Sequence, residues 1–409
     1  MRHGHSFQTE FRFSDIPTSP SAIPSALPEV ADVVIEQSAL PITVARRPST
    51  EKTFFERKRP WSKMKDAIVG PYMPPYLTKV VRRGAPIELV DAFAGRGIYG
   101  DGSLGSPLLI LEAAMRHVPG RFQATFINRN LGHHAALQRA VEQRQAERFV
   151  TCRNANAEDV LPELARAMSS RPDTLFMYLD PFGPSKVPFD VLEPFLQRPA
   201  RFSTEIVVVL NVATLFRMAG SQQHHATLSR VLNTDEWQRF LDPRYGSSEE
   251  DVNGLVGLYA DQLRKYGFLV GTCPIRKRPG LLANFFVISM SRHADALLLM
   301  NDIMYTAYNQ FLGAATPLDL FASAELLAQQ SRFDAEVHEI LRQSPGIRRV
   351  DAWLACVTRH FRRYHSTAFR AAVRRLADAH ELRFVSATGR LNDDAQLFLV
   401  NPGMQSVAS

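Results

Sequence analysis

The chain reads as an α/β protein built on a doubly wound, mostly parallel sheet. Three observations predict this. From residue 86 to about residue 212, short apolar runs alternate with helical patterns. Two of those runs, TLFMYL (174–179) and EIVVVLNV (205–212), are apolar almost throughout, as strands covered on both faces are. The alternation then breaks at FLVGTCPIRKRPGLLANFFVISM (268–290), which reads as an antiparallel hairpin with RKRPG near its turn.

The elements follow in order. Residues 1–50 are rich in Pro and Ser, lack sustained periodicity and read as a poorly ordered tail. Residues 54–84, FFERKRPWSKMKDAIVGPYMPPYLTKVVRRG, are basic and interleaved with aromatics. They predict two short, proline-broken helices capping the first strand, with phosphate contact by Arg57, Lys58, Arg59 and Lys63 as the sharper reading. PIELV (86–90) is the first strand. SPLLILEAAMRHV (106–118) is a helix with Ser106 at its N-cap and Pro at its first position. FQATFI (122–127) is a strand, NLGHHAALQRAVEQRQ a helix, RFVTC (148–152) a strand and EDVLPELARAM (158–168) a helix. The apolar strands and the hairpin complete a domain over 51–330.

Residues 331–409 differ. AEVHEILRQS, RVDAWLACVTRHFRRY and STAFRAAVRRLADAHE read as three helices, and RFVSATGRLNDDAQLFLV as two strands around a turn. Three helices and a β-ribbon predict a winged-helix-like α+β module. Its third helix carries Arg370, Arg374 and Arg375, a solvated basic face or a phosphate-contacting one.

Composition bounds the rest. A chain of 409 residues, 45% hydrophobic and 22% charged, can bury a sizeable core. No run of about 18 apolar residues occurs, so no membrane span is expected. The first residues, MRHGHSFQTEFRFSD, lack the apolar core of a signal peptide, so a cytoplasmic protein is expected. Cys152, Cys273 and Cys356 lie far apart, with no C-x-x-C pair, and read as free thiols; no metal site is expected. The net charge of +7 is compatible with DNA or RNA as a partner without demanding it. No G-x-S-x-G, H-E-x-x-H or G-K-[ST] loop supports a hydrolase or a nucleoside triphosphatase.

Two loops carry the chemistry. DAFAGRGIYGDGSLGSP (91–107) holds five glycines in 17 residues, directly after the first strand. Ligands of open α/β sheets bind at the carboxyl ends of strands, and glycines allow close backbone approach. The acid at Asp91 argues against a phosphate and for a cationic ligand. S-adenosylmethionine, with its ammonium and sulfonium, fits that charge; a polar strand-end cap is the bland alternative. The second loop is LDPFG (179–183), after the fourth strand. The Asp180 carboxylate and the Pro181 carbonyl can accept hydrogens from an exocyclic amine and so aim its lone pair. Phe182 can stack on a base. A purely structural turn is the alternative.

Together these stretches resemble the three-Cys-motif partner protein family of bacteria. The matching runs are VDAFAGRGIYGDGSLGSPLLILEA, LDPFGPSKVPFDVLEPFLQRP, EIVVVLNV, LNTDEWQRFL and FFVISMSRHADALLLMNDIM, over roughly residues 60–310. The resemblance implies a Rossmann-like, class I methyltransferase-type sheet and a neighbour protein that carries the cysteine motif. DPFG is also similar to the loop of tRNA guanosine-N2 methyltransferases. The resemblance places Asp91, Phe93, Gly95, Gly97, Asn128 and Asn156 at the cofactor, and Asp180, Pro181 and Phe182 at the acceptor. Two positions depart from the family: Asn128 and Asn156 stand where acids usually face the ribose and the adenine amine. Arg96 adds a positive charge within the glycine loop. Restoring acids at 128 and 156 is expected to tighten the cofactor. The reading is methyl transfer to an amino group of a nucleobase in DNA or RNA; the alternative is a non-catalytic protein of the same fold that binds nucleic acid or the cysteine-motif neighbour.

Overall fold

The computed structural model describes residues 58–240, 248–278, 280–313 and 322–400, with side chains from 329 onward in the last stretch. The Pro/Ser-rich tail and Arg57 lie outside the described residues.

The first element corrects an expectation. Residues 60–80 form one helix, α1 (Pro60–Val80), that runs through Pro71, Pro74 and Pro75. Each proline removes a backbone donor, which ordinarily breaks a helix. Here Ile68, Tyr72, Met73, Tyr76 and Leu77 are buried along one face, while the prolines stand on the more open side. Tyr72 stacks on Tyr76 and on Phe176 of the sheet, and Tyr76 meets Phe176 at a tilt. Packing of that face outweighs the missing hydrogen bonds.

The expected strands and helices then alternate: β1 (Ile87–Asp91), α2 (Ser106–His117), β2 (Phe122–Ile127), α3 (Leu131–Glu142), β3 (Val150–Arg153), α4 (Ala157–Met168), β4 (Thr174–Leu179), α5 (Phe189–Leu196) and β5 (Thr204–Leu210). Past α6 (Val212–Ala219), α7 (His225–Leu232) and α8 (Glu249–Arg264) comes the hairpin β6 (Leu269–Ile275) and β7 (Phe285–Ser291). The seven-stranded sheet has the order β3-β2-β1-β4-β5-β7-β6. β1 to β5 are parallel, and β7 is antiparallel to both neighbours. This is the doubly wound, Rossmann-like sheet with an antiparallel terminal hairpin that the sequence predicts. Winding reverses between β1 and β4, so the crevice for a ligand opens at their carboxyl ends.

Alternate strand residues feed two core layers. Val90, Met177 and Val208 meet Val160, Phe195 and Leu255 on one face. Leu89, Phe176 and Val207 meet Ile68, Leu111 and Leu137 on the other, where α9 (Ala294–Gly313) also packs through Met300 and Met304.

The C-terminal segment comprises α10 (Ala322–Gln343), a short strand β8 (Ile347–Arg348), α11 (Arg349–Arg359), α12 (Ser366–Asp378), β9 (Leu382–Val385) and β10 (Gln396–Leu399). Its antiparallel sheet has the order β8-β10-β9. The three helices and the ribbon were legible; the two-residue β8 was not. The turn between α11 and α12 is locked onto α9 by two buried polar residues. Asn301 donates to the Tyr364 carbonyl at 2.9 Å and accepts from the Arg362 amide at 2.7 Å. Asp302 accepts from the Ser366 amide at 3.0 Å. Phe361 packs directly on Gly271 of β6, where a Cβ would come within 2.1 Å of its ring. The described residues therefore belong to one compact unit.

Candidate functional site at the carboxyl ends of β1 to β4

The glycine-rich loop is mostly a small closed hairpin. Ile98 bridges Leu104, and the Gly105 amide donates to the Gly97 carbonyl at 2.6 Å. Gly97 has φ +85°, and a Cβ there would meet Leu137 at 3.0 Å and Leu108 at 3.2 Å. The positive φ and the close approach of two helices both demand glycine there. Gly95 is half-buried, and positive φ in this loop is confined to Gly97 and Gly102 among the described residues. Neither Gly95 nor Gly97 lines the cavity described below.

Asp91 is fully buried at the tip of β1. Its carboxylate accepts from the Phe93 amide at 3.1 Å and from the Ser106 hydroxyl at 2.6 Å. Ser106 is therefore not the helix cap; Gly105 occupies that position, and the serine ties α2 to the strand. Burial pushes the Asp91 carboxyl up to about 7, against the lowering effect of those hydrogen bonds.

Asp91 is level with Tyr178, and Asp180 lies two residues further along β4. Both carboxylates thus emerge on the α1 side of the sheet. α1 meets them with charge. Lys65 is buried and pairs with Asp180, and its Nζ stands 5.7 Å from the centre of the Phe285 ring. Nearer the start of the chain, Lys58 pairs with Asp66, donates to the Leu104 carbonyl and lies over the Tyr99 ring at 4.8 Å. Burial raises the Asp66 carboxyl to about 6, opposed mainly by Lys58. Lys58 is thus committed inside the protein and is not a surface contact for phosphates. Arg59 and Lys63 are exposed.

On the other side of the same loops lies a cavity of about 240 Å³. It brings together Phe93, Asn128, Asn156 and Phe182, with Arg129, Glu158 and Lys186 at its walls. Lys186 and Glu158 form a 3.1 Å ion pair. Phe182 is 66% exposed, an open aromatic face on the loop after β4, and Pro181 behind it is buried. Asn156 is the N-cap residue of α4 yet does not cap it; its Nδ2 donates to Asp159 at 3.1 Å. The Asn156 backbone carbonyl already accepts from the Asp159 and Val160 amides at 3.2 and 3.3 Å, so it is the Ala157 and Glu158 amides and the Asn156 side-chain oxygen that suit a polar planar group.

Asn128 differs from the expectation. Its Nδ2 donates to the Ala94 carbonyl and its Oδ1 accepts from the Asn130 amide at 2.9 Å. The side chain stitches the tips of β1 and β2. An acid could not make the first of these bonds in its ionised form, so the asparagine is built into the loop. Sequence reasoning missed this, together with Lys65 and the Lys58–Asp66 pair. By sequence Lys58 reads as a surface cation and Lys65 carries no local signal, because the Leu104 carbonyl and Asp180 that receive them lie 46 and 115 residues away.

The arginines on α12 divide. Arg375 forms a two-pronged pair with Asp334 at 2.5 and 3.1 Å, which takes it out of the phosphate-binding set. Arg370 and Arg374 lie one turn apart, and neither forms an ion pair among the described residues. Cys273 and Cys356 are buried and Cys152 half-buried, all as free thiols. No group of metal-ligating side chains occurs, and no helix is long and apolar enough to cross a membrane, among the described residues.

No protein-family model matches the chain, and no curated protein matches it. Solved structures do share parts of it. A SAM-dependent methyltransferase from Agrobacterium tumefaciens is 12% identical over 54% of this chain and 60% of its own, with a TM-score of 0.31. An O-methyltransferase from Bacillus cereus, solved in complex with SAH, is 13% identical over 54% of this chain and 81% of its own, with a TM-score of 0.32. Protein LPL1258 from Legionella pneumophila is 10% identical over 56% and 85%, with a TM-score of 0.34. Likeness of this size carries no argument about chemistry.

Proposed function

We propose that the protein binds S-adenosylmethionine in the cavity between β1 and β4 and transfers its methyl group to an amine, that of a nucleobase in DNA or RNA. The observation that carries this reading is one cavity at the topological switch point, lined by residues from the tips of four strands. The set of polar and aromatic groups fits a nucleoside: the open start of α4, the Asn156 side-chain oxygen, and the faces of Phe93 and Phe182. The buried Asp91 and the half-buried Asp180 lie behind it and suit a cation. When bound, the cofactor supplies an activated methyl group. The chain's part is to hold the acceptor nitrogen at Asp180 and the Pro181 carbonyl, to accept its proton, and to exclude water with the packed end of α1.

The C-terminal segment supports a winged-helix-like reading through its three helices and β8-β10-β9 ribbon, with Arg370 and Arg374 offered to phosphates. The residue pattern also supports membership of the three-Cys-motif partner family and docking to the cysteine-motif neighbour. A non-catalytic binding protein is the second reading. It is favoured by the internal commitment of Asn128 and by the lysine already seated on Asp180.

Calorimetric titration with S-adenosylhomocysteine tests the site. Binding is expected, and because Phe182 lines this cavity its ring is reassigned here from the acceptor to the adenine, so Phe182→Ala should weaken binding by roughly 1–3 kcal/mol. No heat with either S-adenosylmethionine or S-adenosylhomocysteine would remove the cofactor reading.

A further inference from the structure

The β6–β7 hairpin carries its turn past the strand tips. Leu210, the last residue of β5, is level with Phe286, and Ile275 is level with Phe285, so the connection between β6 and β7 leaves the sheet on the same edge as the candidate site. Its root adjoins the loop after β4: Lys65, which pairs with Asp180, has its Nζ 5.7 Å from the centre of the Phe285 ring. The connection is braced. The Ala213 amide at the start of α6 donates to the Asn284 carbonyl at 3.2 Å, and the Leu281 amide donates to the Arg278 carbonyl at 3.4 Å, where Gly280 has φ +79°. Arg276, buried, donates to the Leu281 carbonyl and pairs with Glu249 of α8. Yet the side chains held at the tip cover nothing. Leu281 and Leu282 are 51% and 40% exposed, an adjacent apolar pair in water. Lys277 and Arg278 beside them are exposed and enter no ion pair among the described residues. From Gln262 to Ala294 the sequence has no Asp or Glu.

Apolar side chains held out beside free cations match a partner that is anionic outside and apolar within, as a stacked nucleic-acid duplex is. We propose that this tip is a wedge for such a duplex: Lys277 and Arg278 take backbone phosphates, and Leu281 and Leu282 enter the base stack. This rests on the reading of a nucleobase acceptor above and narrows the substrate to a paired strand. An amine inside a duplex has to leave the stack before it can meet a reaction centre in a crevice. The tip supplies that step beside the place the base must reach. Three residues of chain separate Leu282 from Phe285, a span of at most about 10 Å.

The test measures affinity for two duplexes of equal length and charge, one fully paired and one with a central mismatch, in DNA and in parallel in RNA, over a series of salt concentrations. The mismatch is already partly open, so the wild type is expected to prefer it by about tenfold or more in at least one of the two nucleic acids. Leu281→Ser with Leu282→Ser should bring that ratio close to one and leave the salt slope unchanged. Lys277→Gln with Arg278→Gln should lower the slope by up to about two and leave the ratio unchanged. All four side chains are exposed, so equal melting temperatures are expected; Leu281→Ala with Leu282→Ala is the milder pair should the serines not fold. A wild type that binds both duplexes equally, or a ratio that survives removal of the leucines, overturns the wedge and leaves the tip to a protein partner. No duplex binding at all overturns it together with the nucleobase acceptor. Titration with S-adenosylhomocysteine reads the cofactor site separately: where that ligand binds and no mismatch preference appears, the wedge falls and the cofactor reading stands. A leucine-dependent preference without S-adenosylhomocysteine binding supports the wedge and removes methyl transfer.

Discussion

Asn128→Asp is the substitution for which sequence and structure give opposite expectations. By sequence, an acid at this strand tip should tighten a ribose. By structure, the asparagine donates to the Ala94 carbonyl and accepts from the Asn130 amide, and it is only 9% exposed. An ionised aspartate keeps the second bond and loses the first, at about 1 kcal/mol. It also sets a carboxylate against a carbonyl oxygen that then has no donor, at a further 1–3 kcal/mol or so. The sum is about 2–4 kcal/mol of destabilisation near neutral pH, a fall of several degrees in melting temperature. The sign of its pH dependence follows. Burial and the facing carbonyl raise the pKa of the introduced carboxyl in the folded state, and in its protonated form it can donate to Ala94. The deficit is therefore small at low pH and grows as pH rises from the unfolded value through the folded one. Melting curves of both proteins by circular dichroism across that range give the result. A variant that melts with the wild type at neutral pH, or that binds S-adenosylhomocysteine more tightly, would refute the reasoning.

Asp91→Asn should flatten the pH dependence of stability: the wild-type carboxyl moves from 3.8 to about 7 on burial, so its ionisation removes up to about 4 kcal/mol as pH rises through that window. A variant whose melting temperature tracks the wild type across the window would contradict this. Arg370→Gln with Arg374→Gln should reduce the salt slope of binding to a DNA duplex by up to about two, whereas Arg375→Gln should mainly lower stability, because Arg375 is already paired with Asp334. Equal slopes in all three proteins would remove α12 from the interface. Gly271→Ala should drive Phe361 off β6 and expose the α11–α12 turn to protease, since the added carbon has no room; an unchanged digestion pattern would count against rigid docking.

The sheet was legible because buried parallel strands write themselves as apolar runs: Phe122–Ile127 and Thr174–Leu179 are the strands the residues predict, to the residue. α1 was misread because local rules treat Pro71, Pro74 and Pro75 as breakers. The packing that offsets them, Tyr72 and Tyr76 on Phe176, involves a residue far along the chain. Within the site, the resemblance and the DPFG motif name Phe93, Asn128, Asn156 and Phe182, and all four line one cavity. What a sequence cannot show is which polar atoms are already engaged. Ser106 read as a cap and serves Asp91; Lys58 read as a surface cation and serves Asp66.

The cluster at the strand tips makes a last prediction, on the charge of the ligand. Three carboxylates (Asp66, Asp91, Asp180) face two ammonium groups (Lys58, Lys65), so full ionisation leaves 3 − 2 = 1 net negative charge. Burial raises Asp66 to about 6 and Asp91 to about 7. Protonating both turns the cluster from net negative to net positive. S-adenosylmethionine differs from S-adenosylhomocysteine by the methyl and its sulfonium charge, so the ratio of their affinities isolates how the cluster meets a cation. At an effective dielectric of about 20, one charge some 8 Å away is worth roughly 2 kcal/mol. The preference for S-adenosylmethionine should therefore rise by about tenfold or more between about pH 6 and about pH 8. Calorimetry with both ligands at the two pH values measures it, and groups common to the ligands cancel. A constant ratio would mean that the sulfonium does not face Asp91 and Asp180, and that the cavity holds its ligand by the nucleoside alone.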